Sequence, residues 1–215
     1  MKAVIFDMDG LMFDTERVHI QAWDYAAERL GWECSGTDMV TLTLGMSIPK
    51  AEEVWRGILK ERYDRDRLDK FTSEFLVDYF ENNTVPVKKG LFELLDFLDE
   101  NGYKKAVASS TDIRGVMRNL KSAGIENRFD ALVTGDMIEH SKPEPDIFLK
   151  ACELLEVEPS KAYALEDSRN GLLSALSAGC KTIMVPDLWE GETEIDERLF
   201  AKCESLNGVI EIIKR

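Results

Sequence analysis

Positive charge is what this sequence lacks most conspicuously. Lysine and arginine number 27 against 41 aspartates and glutamates, a formal net charge of −14. Long-range attraction to the phosphates of nucleic acid or to an anionic membrane surface is therefore disfavoured, and any phosphate-bearing ligand needs a strong local positive centre. Long hydrophobic runs are missing too. None approaches the roughly 18 residues of a spanning helix, and the amino-terminal run is cut by Asp7 and Asp9 before it can serve as a secretory signal. The expectation is a cytoplasmic protein with neither nucleic acid nor membrane as partner. The four cysteines, Cys34, Cys152, Cys180 and Cys203, have no close spacing and no histidine near them, which argues against a disulfide framework or a zinc site and predicts packed, reduced thiols. Internal repeats and low-complexity segments are likewise absent.

What is present has the composition of an ordinary globular protein, 44% hydrophobic and 32% charged over 215 residues. Short β-prone apolar runs recur at 3 to 6, 105 to 109, 131 to 134, 162 to 165 and 182 to 185. From the second onward they are separated by stretches of helical spacing, "DIRGVMRNLKSAG", "DIFLKACELLEV" and "RNGLLSALSAG". Strand alternating with helix predicts an α/β fold, a parallel sheet covered on both faces, with "SLNGVIEIIKR" as a final helix on the core.

The interval between the first two strands breaks that rhythm. Helical spacing appears around 15 to 30, 47 to 62, 67 to 82 and 91 to 100, far more than one crossover requires. We therefore expect an inserted α-helical cap domain over 15–87, with 1–14 and 88–215 forming the core, and hinges near 14 to 16 and 86 to 89. The acidic stretch "DLWEGETEIDE", 187 to 197, reads as a solvated loop.

In open parallel sheets, ligands bind outside the carboxyl ends of the strands. The first strand ends in Asp7 and Asp9, the second in Ser109, Ser110 and Thr111, and the fourth in Glu166, Asp167 and Ser168. Lys142 follows the third in the proline-rich "HSKPEPDIF". Two carboxylates about 4 Å apart repel by on the order of 4 kcal/mol at an effective dielectric near 20, so such a cluster persists only if protons or a cation neutralise it. An all-oxygen set suits Mg²⁺, which also supplies the positive centre that the net charge denies. One carboxylate can then attack phosphorus while a second passes a proton to the departing oxygen. Gly10 lets the backbone turn away sharply behind them.

"FDMDGLMFDTE", "AVASST", "SKPEPDIF" and "ALEDSRNG", in that order and spacing, resemble the four motifs of the haloacid dehalogenase superfamily. Within it the chain is similar to small phosphatases and β-phosphoglucomutase with a helical cap. The resemblance spans essentially the whole chain and implies a Rossmann-like core. It implies Asp7 as nucleophile, Asp9 as general acid and base, and Ser109 and Lys142 as holders of the phosphoryl group. Mg²⁺ would be held by the Asp7 carboxylate, the Asp9 carbonyl and Asp167, with Glu166 directly or through water. Backbone amides around Met8, Asp9 and Ser110 would complete the phosphate cradle.

"ERVHIQAWDYAAERLG" resembles the first cap helix of β-phosphoglucomutase, with His19 either a substrate-side polar residue supporting Asp9 or its neighbours or a structural one, and Trp23 as core, and "LGMS", 44 to 47, resembles its cap loop. Where the mutase has an arginine after the cap-loop serine this chain has Ile48, and Phe75 stands where it has a cap lysine. Lys50, Arg56, Lys60 and Lys70 are nearby cations that either substitute or are solvated. The expectation is a monomeric phosphatase acting on a small phosphorylated metabolite, a sugar or polyol phosphate. The alternatives are a phosphosugar mutase and a non-catalytic metal- and phosphate-binding module.

Overall fold

The computed structural model describes residues 2–43 and 48–214. The cap-loop reading at 44 to 47 lies outside the described residues, as does the side chain of Ile48. The chain runs β1 (Ala3–Phe6), then α1 (Thr15–Leu30), α2 (Gly36–Thr41), α3 (Ile48–Leu59), α4 (Arg65–Asn82) and α5 (Leu91–Glu100). Alternation follows through β2 (Lys104–Ser109), α6 (Ile113–Ser122), β3 (Ala131–Thr134), α7 (Asp146–Leu155), β4 (Ala162–Glu166) and α8 (Arg169–Ser177). It ends with β5 (Lys181–Met184), α9 (Thr193–Asp196), β6 (Ala201–Lys202) and α10 (Leu206–Ile213).

The six strands form one parallel sheet in the order β3-β2-β1-β4-β5-β6. Every residue of β1 and β4 is buried, as strands covered on both faces must be. Because β1 has β2 on one side and β4 on the other, the winding reverses beside it, and a crevice opens at the carboxyl ends there. Register decides what enters that crevice. Phe6 lies opposite Val107 and Leu165, and the Asp7 N–H donates to the Leu165 carbonyl at 3.0 Å. Asp7 therefore stands level with Glu166, one residue beyond the paired strands.

Two compact units divide the chain, Met1–Phe13 with Pro86–Arg215, and Asp14–Val85. These boundaries fall one and two residues earlier than the sequence reading placed them. Phe13 pairs in an antiparallel bridge with Val87, and the Lys88 N–H donates to the Met12 carbonyl at 2.9 Å, which ties the returning segment to the β1 loop. Asp14 instead pairs with Arg17 at 2.7 Å at the start of α1. The second unit is all helix. Its α1 and α4 pack along each other, and Trp23 lies on Trp55 with ring centroids 4.8 Å apart.

The structure differs from the sequence reading at one further point in the first unit. The stretch 187 to 197 is not simply a solvated loop: it contains α9, and Ile195 is buried against Leu172 and Met184. Asp187, its side chain almost fully buried, accepts from the Lys88 ammonium at 2.6 Å. A charge count over that window conceals the apolar residues that anchor it, Ile195 and, packed against the same cluster, Trp189. The four cysteines are all free thiols, as the sequence reading expected, and Cys152 and Cys180, distant in sequence, are buried in the same core cluster. No helix among the described residues is long and apolar enough to cross a membrane.

Ile5, fully buried on the central strand, tests the packing. Ile5→Ala should lower the unfolding free energy by about 2–5 kcal/mol through lost transfer energy and a residual cavity, read from the denaturant midpoint at unchanged slope.

Candidate active site

The crevice beside β1 gathers side chains from four segments of the first unit. Asp7 follows β1 and is 7% exposed; Glu166 ends β4 at 0% and Asp167 follows it at 6%. One carboxylate oxygen from each of the three lies within 4.8 Å of the others. Lys142, from the turn before α7, reaches into them. Its ammonium donates to Asp7 Oδ1 at 2.5 Å, Glu166 Oε1 at 2.6 Å and the Ala108 carbonyl at 3.1 Å, so all three of its protons have an acceptor.

Glu166 is held on its other oxygen as well. Oε2 accepts from the backbone N–H groups of Asp167 and Ser168, both at 3.1 Å, and from the Ser168 hydroxyl at 3.0 Å. The same hydroxyl caps α8 by accepting the Gly171 N–H at 3.1 Å. Space for this carboxylate depends on Gly171, where a Cβ would sit 1.8 Å from Glu166 Oε1. Gly10 does the equivalent for Asp167. It has φ +83°, and a Cβ there would lie 2.2 Å from Asp167 Oδ2.

Charge in this pocket is out of balance. Burial pushes the Asp7 carboxyl well above its ordinary range; Lys142 pulls it down, while Glu166 and Asp9 push it up again. Burial alone would lower the Lys142 ammonium, but the charges and hydrogen bonds of Asp7 and Glu166 prevail and hold it above its usual value. The buried carboxylates of Asp7, Glu166 and Asp167 form an all-oxygen donor set, the first two of them paired with Lys142. The chemistry of these donors fits a hard divalent cation such as Mg²⁺, and Gly10 leaves the Asp167 carboxylate room to take its place among them.

Asp9 sits at the rim, half-buried. Its Oδ2 accepts from the Thr111 hydroxyl at 2.8 Å and from the Ser109 hydroxyl at 3.2 Å. Met8 is fully buried beneath the turn, and Ser110 is exposed at the end of β2.

The structure thus brings Asp7, Asp9, Ser109, Lys142, Glu166 and Asp167 into one crevice, with Met8 and Ser110 at its margins. His19 belongs to the other unit. There it is exposed on α1 and lines a cavity of about 210 Å³ with Trp23, Trp55, Arg65 and Thr72. Phe75 packs between Tyr25 and Tyr79. Lys50, Arg56, Lys60 and Lys70 are all exposed. The sequence reading missed Arg65, which is half-buried at that cavity and pairs with Asp69 at 2.6 Å. Its i,i+4 carboxylate partner was the available signal. It also gave Thr111 no role beyond that of a strand-end hydroxyl, and passed over Arg118 on α6, whose charge interacts with that of Asp9.

A sequence profile described as haloacid dehalogenase-like hydrolase matches residues 4–185. A protein of Thermotoga maritima named phosphorylated carbohydrates phosphatase is 34% identical, the match covering 99% of this chain and all of that one. Hexitol phosphatase B of Escherichia coli is 28% identical over 98% of this chain and 93% of its own. Among solved structures, a putative β-phosphoglucomutase from Thermotoga maritima superposes with a TM-score of 0.81 at 28% identity, covering 100% of this chain and 99% of that one.

Cation binding at the carboxylates is open to direct measurement. Mg²⁺ at a hundredfold excess over its dissociation constant should stabilise the fold by about 2.7 kcal/mol, seen as a rise in the thermal midpoint. In Asp167→Asn most of that rise should vanish.

Proposed function

Because the chain belongs to the haloacid dehalogenase-like hydrolase family, we propose that it is a Mg²⁺-dependent phosphatase that hydrolyses a small sugar or polyol phosphate through an aspartyl phosphate. The observation that carries this reading is the convergence of Asp7, Glu166, Asp167 and Lys142 at the end of the central strands. The relatives acting on phosphorylated carbohydrates and hexitols by name support the substrate class.

Asp7 and Asp167 would hold Mg²⁺ with the Asp9 carbonyl, and Glu166, already engaged by Lys142 and Ser168, would complete the set directly or through water. Bound there, the ion supplies the positive charge that lets a phosphate approach the carboxylates and polarises a phosphoryl oxygen. Lys142 and Ser109 orient the phosphoryl group, one as a point charge and the other as a hydroxyl donor. Amides near Met8 and Ser110 contact its remaining oxygens. Asp7 attacks phosphorus in line as the bond to the alcohol oxygen breaks, and Asp9 gives its proton to that oxygen. Asp9, now ionised, takes a proton from water as the water attacks the aspartyl phosphate, releasing phosphate and restoring Asp7. The uncatalysed reaction is slow enough that known accelerations approach about 10²¹, so positioning and charge neutralisation both have to contribute heavily.

The likeness to a putative β-phosphoglucomutase keeps one second reading in play, interconversion of β-glucose 1-phosphate and glucose 6-phosphate. A panel of phosphorylated metabolites assayed with and without Mg²⁺ separates the two. The expected result is phosphate release from sugar or polyol phosphates, dependent on Mg²⁺ and abolished in Asp7→Asn. Isomer interconversion outpacing phosphate release would favour the mutase, and full turnover by Asp7→Asn would remove the nucleophile assignment.

A further inference from the structure

Two hydroxyl donors share a single oxygen of Asp9, and their geometries differ. Thr111 Oγ1 lies at 2.8 Å from Asp9 Oδ2, the usual distance for a hydroxyl bond, while Ser109 Oγ lies at 3.2 Å. Ser109 has one proton, which the proposed mechanism directs to a phosphoryl oxygen. Once it is given there, Thr111 is the hydroxyl left on Asp9 Oδ2.

Thr111 is built to stay in place. Its methyl rests over Gly115, where a Cβ would come within 2.5 Å of Thr111 Cγ2. A β-branched side chain has few rotamers, and seating the methyl against the first turn of α6 turns the hydroxyl toward Asp9. The backbone is fixed on both sides. The Thr111 N–H donates to Ser109 Oγ at 3.1 Å, its carbonyl accepts the Gly135 N–H at 3.2 Å, and the Asp112 carboxylate caps α6 by accepting the Gly115 N–H at 2.8 Å.

We propose that Thr111 is the positioning residue for Asp9, holding its carboxyl group in the orientation from which it protonates the departing alcohol and then deprotonates water. The inference rests on the phosphatase reading. It adds that the threonine and the glycine four residues later act together, the glycine clearing space for a methyl so that a hydroxyl is aimed.

The experiment compares two esters that differ in their need for a proton. An alkyl phosphate, the best sugar or polyol phosphate of the panel, leaves as an alkoxide unless Asp9 protonates it; p-nitrophenyl phosphate leaves as a stable phenolate. For both, kcat/KM reports the steps up to the first departure. Thr111→Val should lower kcat/KM for the alkyl ester about 30-fold, part of the ~10²–10⁴ that general acid–base catalysis contributes. For the aryl ester the loss should stay below about threefold, since that leaving group needs little proton transfer. Thr111→Ser, which keeps the hydroxyl but loses the methyl that seats it, should lose less than about tenfold on the alkyl ester and stay within about threefold of the wild type on the aryl ester. Thr111→Ala, which adds no atom to the site, should repeat the valine pattern and serves if the valine variant does not fold. Equal losses on the two esters, unchanged alkyl turnover in the valine or alanine variant, or a serine variant as slow as valine would overturn the role of Thr111. A wild-type protein that releases phosphate from neither ester would instead overturn the phosphatase reading itself.

Discussion

The ammonium of Lys142, buried between Asp7 and Glu166, is the contact on which the site turns. A buried lysine without acidic partners would shed its proton, and buried carboxylates without a cation would take one up. Asp7 and Glu166 keep the ammonium charged, while burial still pushes the Asp7 carboxyl above its ordinary range against the pull of Lys142. The arrangement is held by geometry rather than by charge alone. Ser168 and the two backbone amides beside it grip one oxygen of Glu166 while Lys142 takes the other. Asp7 is placed by the continuation of a strand register. Under the proposed function, Lys142 and a Mg²⁺ held by these carboxylates would together draw in a phosphate, so that a strongly acidic chain would need no basic surface to bind one.

The sheet topology explains why these residues meet. Reversal of winding beside β1 places the ends of β1 and β4 next to each other, and their pairing sets Asp7 level with Glu166. Two glycines complete the construction by absence, since a methyl group at Gly10 or Gly171 would occupy the space of Asp167 or Glu166. Thr111 and Gly115 repeat the device at the rim. In each case a carboxylate or its donor occupies room that any larger residue would have filled.

The insertion after β1 lengthens the connection without disturbing this arrangement. Phe13 and Val87 close its two ends in a bridge, so the first unit keeps its crossover intact while the second forms a separate aromatic-rich core around Trp23, Trp32 and Trp55. The haloacid dehalogenase-like family assignment accounts for the first unit's machinery, whereas the substrate reading draws on the names of the relatives.

Apart from the short α2, α9 and β6, the sequence by itself determined the order of strands and helices, along with the inserted segment and the carboxylates, hydroxyls and lysine at the strand ends. Those features are local: short apolar runs, helical spacing and charges placed immediately after a strand repeat patterns that a neighbouring handful of residues imposes on the backbone. Thr111 aiming at Asp9, the clearances at Gly171 and Gly115, the shared core cluster of Cys152 and Cys180 and the burial of Ile195 within an acidic stretch were decided by tertiary structure. They depend on angstrom-scale approaches between segments from different parts of the fold, and such distances leave no periodicity in the chain for a sequence reading to find.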